Sequence, residues 1–222
     1  MNPNYQSFPQ TQTSAVETNK VLKNTYMLLS ATLAFSAVMA MVSMYLAVPP
    51  MTYMIAVIAS MLLGIFVLPR TANSSSGIGV IFLITGLLGF GLGAILSMYL
   101  ALPKGPEIIA TAFGGTGIIF LGLSGYALTS KRDFSFMGGF LFAGMLTVVI
   151  AIVANLFFAI PALSMAISAA IIMLMSGFIL FDTSRIINGG ETNYIMATYG
   201  LYLSVFNIFI SLLSLLGIMS DD

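Results

Sequence analysis

Three residue types that carry much of protein chemistry are absent from this chain, which has no cysteine, no histidine and no tryptophan. Without cysteine there can be no disulfide, no thiolate metal site and no cysteine nucleophile. Without histidine the chain lacks the commonest metal ligand, the usual proton relay and serine–histidine catalysis. We therefore expect no enzymatic activity, no catalytic residues, no metal site and no cofactor.

Charge is also scarce, since only 6% of the residues are charged whereas 59% are hydrophobic. The seven basic and seven acidic residues cancel, so nucleic acid is not an expected partner. A mean hydropathy of +1.06 is typical of a polytopic membrane protein. The composition therefore predicts that the chain is embedded in a lipid bilayer.

A helix crosses the core of a bilayer with about 20 apolar residues, and seven runs of the chain meet that length. The runs are 26–47, 51–69, 78–101, 107–128, 136–159, 162–187 and 195–218. Proline breaks the interior of a helix but is tolerated in its first turn. The prolines that fall between the runs are Pro49, Pro50, Pro103, Pro106 and Pro161. The sequence thus predicts an all-α integral membrane domain of seven transmembrane helices over residues 20–222.

Residues 1–19 are polar and rich in Gln, Thr, Asn, Ser and Pro, which predicts a disordered tail. Basic residues near the helix ends indicate the cytoplasmic side of a membrane protein. On the side of the tail are Lys20, Lys23, Arg70, Lys131, Arg132 and Arg185, and on the other side is Lys104. We therefore predict a cytoplasmic N-terminus and, after seven spans, a periplasmic or extracellular C-terminus.

Glycine is abundant within the apolar runs. The glycines in question are Gly86, Gly89, Gly91 and Gly93 in the third run, Gly114, Gly115, Gly117, Gly122 and Gly125 in the fourth, and Gly139 in the fifth. A nucleotide-binding loop is rejected, because no strand precedes these glycines and the segments lie in apolar helices. Small residues let helix backbones approach closely in lipid. The glycines are therefore predicted to lie at contacts between helices.

Three charges lie together between the last two apolar runs, at Asp182, Arg185 and Glu191. An ionisable side chain costs roughly 2.5 to 3.5 kcal/mol at the centre of a membrane helix and less near its edge. Asp182 is therefore a candidate functional residue. The alternative is that Asp182 simply pairs with Arg185, one turn later, at a hydrated helix end. The residues alone leave both interpretations open.

The helix ends around these charges can be placed from the sequence. The glycines at 189–190 predict the end of the sixth helix, which puts Asp182 about 8 Å inside that end. Thr192 or Asn193 is the expected N-cap of the seventh helix, with Glu191 beside its positive end. The residues predicted to surround one cytoplasmic cavity, as a pH sensor or an ion pathway, are Asp182, Arg185, Glu191 and Ser204.

Three segments of the chain resemble a known family. Residues 19–30 read NKVLKNTYMLLS, residues 129–139 read TSKRDFSFMGG, and residues 181–194 read FDTSRIINGGETNY. They resemble the bacterial YccA branch of the Bax inhibitor family, and the likeness extends over nearly the whole chain after the tail. The resemblance implies a seven-helix fold in which the last helix is surrounded by the other six.

The same resemblance implies two functions. Members of the YccA type modulate the membrane protease FtsH, whereas other bacterial members are pH-sensitive calcium leak channels with one Asp on the sixth helix and a second on the seventh. Asp182 matches the first of these, but the segment 201–204, which reads LYLS, carries serine at the second. Two adjacent carboxylates share a proton and so respond to pH. Without a second Asp, Asp182 would respond to pH near neutrality only if it were buried or if the Glu191 carboxylate turned inward beside it.

The residues and the resemblance together predict a regulator of FtsH in the bacterial inner membrane, with FtsH as its partner and without enzymatic activity. The alternative is a pH-sensitive leak channel for calcium or other cations. A tight calcium site is not expected, since calcium takes about six to eight oxygen ligands. An intramembrane hydrolase is disfavoured, because histidine, cysteine and a pair of intramembrane aspartates are all missing.

Overall fold

The computed structural model describes residues 15–220, and each of the seven predicted runs forms a helix in it. The helices are α1 (Ala15–Tyr45), α2 (Met51–Thr71), α3 (Ser76–Leu100), α4 (Gly105–Ser130), α5 (Gly138–Phe158), α6 (Pro161–Ile187) and α7 (Tyr194–Ser220). A short 3₁₀ turn, Ser135–Met137, precedes α5. All seven are long and apolar enough to cross a membrane, and the described residues contain no strand. The predicted class, an all-α protein with seven transmembrane helices, is confirmed.

Proline marks several of the helix starts, as the sequence predicts. Pro50 immediately precedes α2, Pro106 lies in the first turn of α4, and Pro161 is the first residue of α6. Pro69 is different, because α2 continues through it to Thr71. The turn before it, Leu63–Val67, widens into a π-helix, which is a known way for a helix to absorb a proline or an extra residue.

The structure differs from the predicted tail, residues 1–19, at the last five of these residues. Helix α1 already begins at Ala15, so residues 15–19 are helical, while residues 1–14 and 221–222 lie outside the described part of the chain. Glu17 lies in the first turn of α1, where a negative charge interacts favourably with the positive helix end. The polar side chains of Asn19 and Lys20 are exposed, so this turn can form without burying them.

Glycines of α3 allow close contact with its two neighbours. A Cβ atom at Gly89 would overlap the main chain of Ser36 in α1, and one at Gly93 would overlap the main chain of Ala40. On another side of α3, a Cβ at Gly91 would lie 2.8 Å from the Cβ of Ala56 in α2. The predicted role of glycine in helix packing is therefore confirmed for α3, which lies between α1 and α2.

The same prediction is wrong for most glycines of α4 and for Gly139 in α5. No atom lies within 4 Å of the position that a Cβ would take at Gly114, Gly117, Gly122, Gly125 or Gly139. The physical reason is position, since α4 and α5 have much of their surface exposed. A glycine on such a surface would allow another helix to approach closely, but the glycine alone does not make a helix pack there.

Helix α7 lies inside the bundle and packs against α1, α3, α4 and α6. Its Tyr202 is fully buried, and the Tyr202 hydroxyl donates a hydrogen bond of 3.3 Å to the carbonyl of Thr85 in α3. Ser36 of α1 lies 2.7 Å from the same hydroxyl, so Ser36 is the donor to Tyr202. Helix α5 packs mainly on α6 and joins α7 through one core cluster, in which Leu141 and Ile208 take part. The last helix is thus central and packs directly on four of the other helices, while α2 packs mainly on α3.

Contacts between loops and helix starts define one end of the bundle. The Thr198 hydroxyl of α7 donates to the carbonyl of Thr25 in α1 at 3.2 Å, and the main-chain N–H of Phe134, after α4, donates to Ser184 of α6 at 2.9 Å. This end, which we call the basic end, carries Lys20, Lys23, Arg70, Lys131, Arg132 and Arg185. The predicted functional residues lie near it.

Candidate functional site

Helix α6 ends in the glycine turn that its sequence predicts. Gly189 has a φ of 73°, a left-handed conformation that glycine adopts without steric cost. The N–H of Gly190 donates to the carbonyl of Arg185 at 2.8 Å, and the N–H of Gly189 donates to the carbonyl of Ile186 at 3.3 Å. These two bonds form a Schellman motif. They fix the point at which the chain leaves α6 and therefore the depth of Asp182 within it.

Asn193, one of the two residues predicted to cap α7, is the cap in the structure. Its side-chain oxygen accepts hydrogen bonds from the N–H of Ile195 at 2.9 Å and of Met196 at 3.1 Å. The N–H of Asn193 itself donates to the Glu191 carboxylate at 2.9 Å. This bond holds the Glu191 side chain in the loop before α7.

Arg185 pairs with Glu191 and not with Asp182. The Arg185 guanidinium lies 3.4 Å from the Glu191 carboxylate, donates to the carbonyl of Gly190 at 3.3 Å, and lies 5.5 Å from the centre of the Phe181 ring. The interpretation in which Arg185 pairs with Asp182 is therefore wrong.

Asp182 faces α7 at a glycine. A Cβ atom at Gly200 would lie 2.7 Å from Oδ2 of Asp182, so the missing side chain at Gly200 makes the room that the carboxylate occupies. Asp182 is partly buried, and Arg185 and Glu191 are the charged groups that act on it. Among the described residues, no protein group donates a hydrogen bond to its carboxylate.

Ser204 lies one turn farther along α7 from Gly200. Ser204 is 2% exposed, and its hydroxyl donates to the carbonyl of Gly200 at 3.1 Å. Asp182 and Ser204 thus both adjoin Gly200, whereas Arg185, in the last turn of α6, pairs with Glu191 of the loop that follows. The structure brings the four predicted residues to one region but divides them into these two groups.

Sequence reasoning missed two residues near the site, Gly200 and Ser184. The position of Gly200 within the apolar seventh run was a signal, but the sequence does not tell which side chain it faces. Ser184 is fully buried and holds the α4–α5 loop, because its hydroxyl accepts from the N–H of Phe134 and donates to the carbonyl of Arg132 at 3.1 Å. In this loop, hydrogen bonds from the side chain and then the main chain of Ser135 lower the pKa of Asp133.

The site holds one partly buried carboxylate, Asp182, on which Arg185 and Glu191 act from nearby. In the part of the chain that the structure describes, no group of three or more His, Cys, Asp or Glu side chains could hold a metal ion. The Ser204 hydroxyl donates to the carbonyl of Gly200 in its own helix.

A bundle of seven apolar helices, with a lone carboxylate buried against its central helix, defines the chain as a polytopic helical membrane protein. The sequence model of the family described as "Inhibitor of apoptosis-promoting Bax1" matches residues 18–221. The chain belongs to this family, the Bax inhibitor family. The resemblance that three segments carry is thereby confirmed.

Several curated relatives cover almost the whole chain. It is 50% identical over 211 residues to the Escherichia coli K12 protein named "Modulator of FtsH protease YccA", with 95% of each chain covered. It is 51% identical over 207 residues to an uncharacterised membrane protein of Vibrio cholerae, with 93% of each chain covered. A relative from Escherichia coli O6:H1, also 50% identical with 95% of each chain covered, is named "Inner membrane protein YccA". None of these names specifies an enzymatic reaction.

Proposed function

We propose that this chain modulates the membrane protease FtsH in the inner membrane and does so without enzymatic activity. The observation that carries the proposal is the 50% identity, over 95% of both chains, to the Escherichia coli protein named as a modulator of FtsH. Identity of this extent includes all seven helices and both loops at the predicted site. The proposal therefore concerns the whole bundle and not a single motif.

The packing of the bundle supports a physical mechanism for such modulation. A protease that pulls membrane proteins from the bilayer must separate their helices, and here α1 and α3 touch through main-chain atoms at Gly89 and Gly93. The buried hydroxyl of Tyr202 further links α1, α3 and α7. A tightly packed substrate of this kind is extracted slowly, and it occupies the protease in competition with other substrates.

The distribution of charge supports an orientation for the chain. Lys and Arg concentrate in the cytoplasmic loops of membrane proteins, and the basic end carries six of the seven basic residues. We therefore place the basic end in the cytoplasm and the end of α7 on the opposite side of the membrane. In this orientation the start of α1 is on the side where an ATP-driven protease works.

Reconstitution tests this function directly. Purified FtsH is placed in liposomes with ATP and a second membrane protein that it degrades, and degradation of that protein is measured with and without the present chain. We expect the wild-type chain to slow degradation of the second protein. Gly114→Ala should slow it equally, because nothing lies within 4 Å of a Cβ at Gly114 and the packing is therefore unchanged. Gly89→Ala, which forces α1 and α3 apart, should be degraded faster and inhibit less. Equal degradation in all mixtures would contradict the proposal.

The alternative, a calcium or cation leak, is favoured by one observation. Asp182 is partly buried and its expected partner, Arg185, is paired with Glu191, which leaves a carboxylate available to a cation. The position on α7 at which leak-type members carry their second Asp is Ser204, whose hydroxyl is bonded to its own helix. One carboxylate is a poor site for a cation that takes about six to eight oxygen ligands, so we rank this function second.

A further inference from the structure

A cleft of about 520 Å³ opens at the basic end, between the turn after α2 and the loop before α7. Residues 72–75 and Ile78, from the turn between α2 and α3, form one wall, and residues 192–195, from the loop before α7, form the other. None of these residues is charged, and most offer an amide or a hydroxyl group. The volume is within the range of about 300 to 1,000 Å³ typical of ligand pockets.

The two walls are joined by Asn193. Its side-chain amide donates to the carbonyl of Ala72 at 3.0 Å and to the side-chain oxygen of Asn73 at 2.8 Å. Because the same side chain caps α7 through its oxygen, the loop and the turn are held together at the base of the cleft. A cleft that is already formed costs a ligand little reorganisation on binding.

The mouth of the cleft presents polar groups to an incoming chain. Ser75 and Thr192 stand on opposite walls, and both are exposed. Ser75 precedes α3 but makes no capping hydrogen bond to it. Beside these hydroxyls lie the apolar side chains of Ile78 and Ile195. Such a lining suits an uncharged peptide that combines polar groups with a few apolar side chains, because a charged peptide would find no ionic partner.

Residues 1–14 of this chain have that composition. They read MNPNYQSFPQTQTS and contain no charged side chain, with Tyr5 and Phe8 among amides and hydroxyls. We propose that this N-terminal segment docks in the cleft between the α2–α3 turn and the loop before α7. The side chains agree on both sides, since neither the segment nor the cleft brings a charged side chain that the other would have to desolvate.

The length of the segment and its point of attachment agree with this docking. Val21 and Leu22 of α1 pack in the same core cluster as Ala72 and Ile195 of the cleft. The start of α1 at Ala15 is about 10 Å farther along the helix axis. Fourteen residues span up to about 46 to 50 Å when extended, which is ample for reaching the cleft. A tether of this kind gives an effective concentration of the order of millimolar, so weak contacts are sufficient.

Docking would control access to the N-terminal segment. A protease that must grip this segment before extracting the chain would find it withheld while it occupies the cleft. This consequence rests on the proposed function, whereas the docking itself does not. The two are therefore tested separately, and the docking is tested on the purified full-length chain without any protease.

The absence of cysteine and tryptophan makes a clean optical test possible. A bimane dye is attached to Ser75→Cys, and Phe8→Trp supplies the one tryptophan, which quenches bimane at contact range. The same dye on Thr192→Cys reports the other wall. The dye on Arg132→Cys is the control, because Arg132 is also exposed at the basic end but lies in the α4–α5 loop.

We expect Phe8→Trp to remove most of the bimane fluorescence at Ser75→Cys or Thr192→Cys and little of it at Arg132→Cys. An excess of a synthetic peptide with the sequence of residues 1–14 should restore the fluorescence by competition. Absence of quenching at both walls, or equal quenching at Arg132→Cys, would overturn the docking. Either result leaves the effect on FtsH to be decided by the degradation assay.

Discussion

At the scale of single residues, Gly200 decides how closely α6 and α7 approach at the site. We predict that Gly200→Ala destabilises the protein, because the added methyl would lie 2.7 Å from Oδ2 of Asp182. Overpacking of this kind costs about 1 to 3 kcal/mol, partly offset by the roughly 1 kcal/mol that alanine gains over glycine in a helix. The measurement is the midpoint of thermal unfolding in detergent.

The matched control is Gly114→Ala, because a Cβ at Gly114 meets no atom within 4 Å. This variant reports the helix propensity alone and should be as stable as the wild type or more so. Asp182→Ala removes the side chain that the new methyl would meet, so Gly200→Ala should cost less in that background. A cost that is unchanged by Asp182→Ala would show that another neighbour opposes the methyl group.

Ser204 is the residue that separates the two candidate functions. We predict that wild-type protein in liposomes passes calcium no faster than Asp182→Asn. The reason is that Asp182 is a single carboxylate where α6 meets α7 at Gly200, and one carboxylate is a poor calcium site. Ser204→Asp places a second carboxylate one turn away from Gly200 and should raise the flux. The measurement is calcium entry reported by a dye inside the liposomes, with empty liposomes as the baseline. A wild-type leak that Asp182→Asn abolishes would favour the channel instead.

At the scale of elements, the α4–α5 loop depends on one hydroxyl group of α6. Ser184 bonds both to Phe134 and to Arg132, so we predict that Ser184→Ala frees the loop and speeds trypsin cleavage after Lys131 and Arg132. Ser130→Ala is the control, because the buried Ser130 hydroxyl has no hydrogen-bond partner in the described structure. Equal cleavage of the two variants would mean that Ser184 does not hold the loop.

The same loop should also respond to acid. Hydrogen bonds from Ser135 lower the pKa of Asp133, so the folded loop favours the charged carboxylate. This stabilisation is complete above the pKa of the unfolded chain and is lost as the pH falls through the lower pKa of the folded loop. Trypsin is inactive in acid, so pepsin cleavage near Asp133 is the suitable measurement. Asp133→Asn should make that cleavage less dependent on pH.

The elements themselves were predictable because the apolar runs are long and the prolines fall between them. Which helices pack against one another was not predictable, as the glycines demonstrate. Gly89 and Gly114 look alike in sequence, yet Gly89 touches the main chain of Ser36 whereas a Cβ at Gly114 would meet nothing. Whether a small residue lies at a contact depends on which helix packs beside it, and local sequence does not contain that information. The continuation of α2 past Pro69 was missed for a local reason, the π-helix before it.

At the candidate site, too, some features could be predicted from the sequence and others could not. Asn193 as the N-cap and the glycine turn at 189–190 follow from local hydrogen bonds, and both were predictable. The pairing of Arg185 with Glu191 depends on how the loop folds back after α6, and the contact of Asp182 with Gly200 depends on the packing of two helices. These contacts join residues that are far apart in sequence, or on opposite sides of a turn.

At the scale of the whole molecule, seven spans and the concentration of positive charge at the basic end predict opposite locations for the two chain ends. Alkaline phosphatase is active outside the cytoplasm, so we predict an active fusion after Asp222. A fluorescent protein at the same position should stay dark, since it folds poorly when exported. A bright fluorescent fusion with an inactive phosphatase fusion would contradict the orientation.

The central claim, that a tightly packed bundle occupies FtsH, is tested most directly in living cells. The measurement is the half-life of a membrane protein that FtsH degrades, in cells that overproduce this chain. We predict a longer half-life with the wild type and with Gly114→Ala, and a smaller effect with Gly89→Ala, whose α1–α3 contact is disrupted. A half-life that stays the same with the wild-type chain, at a level equal to that of FtsH or above it, would contradict the account.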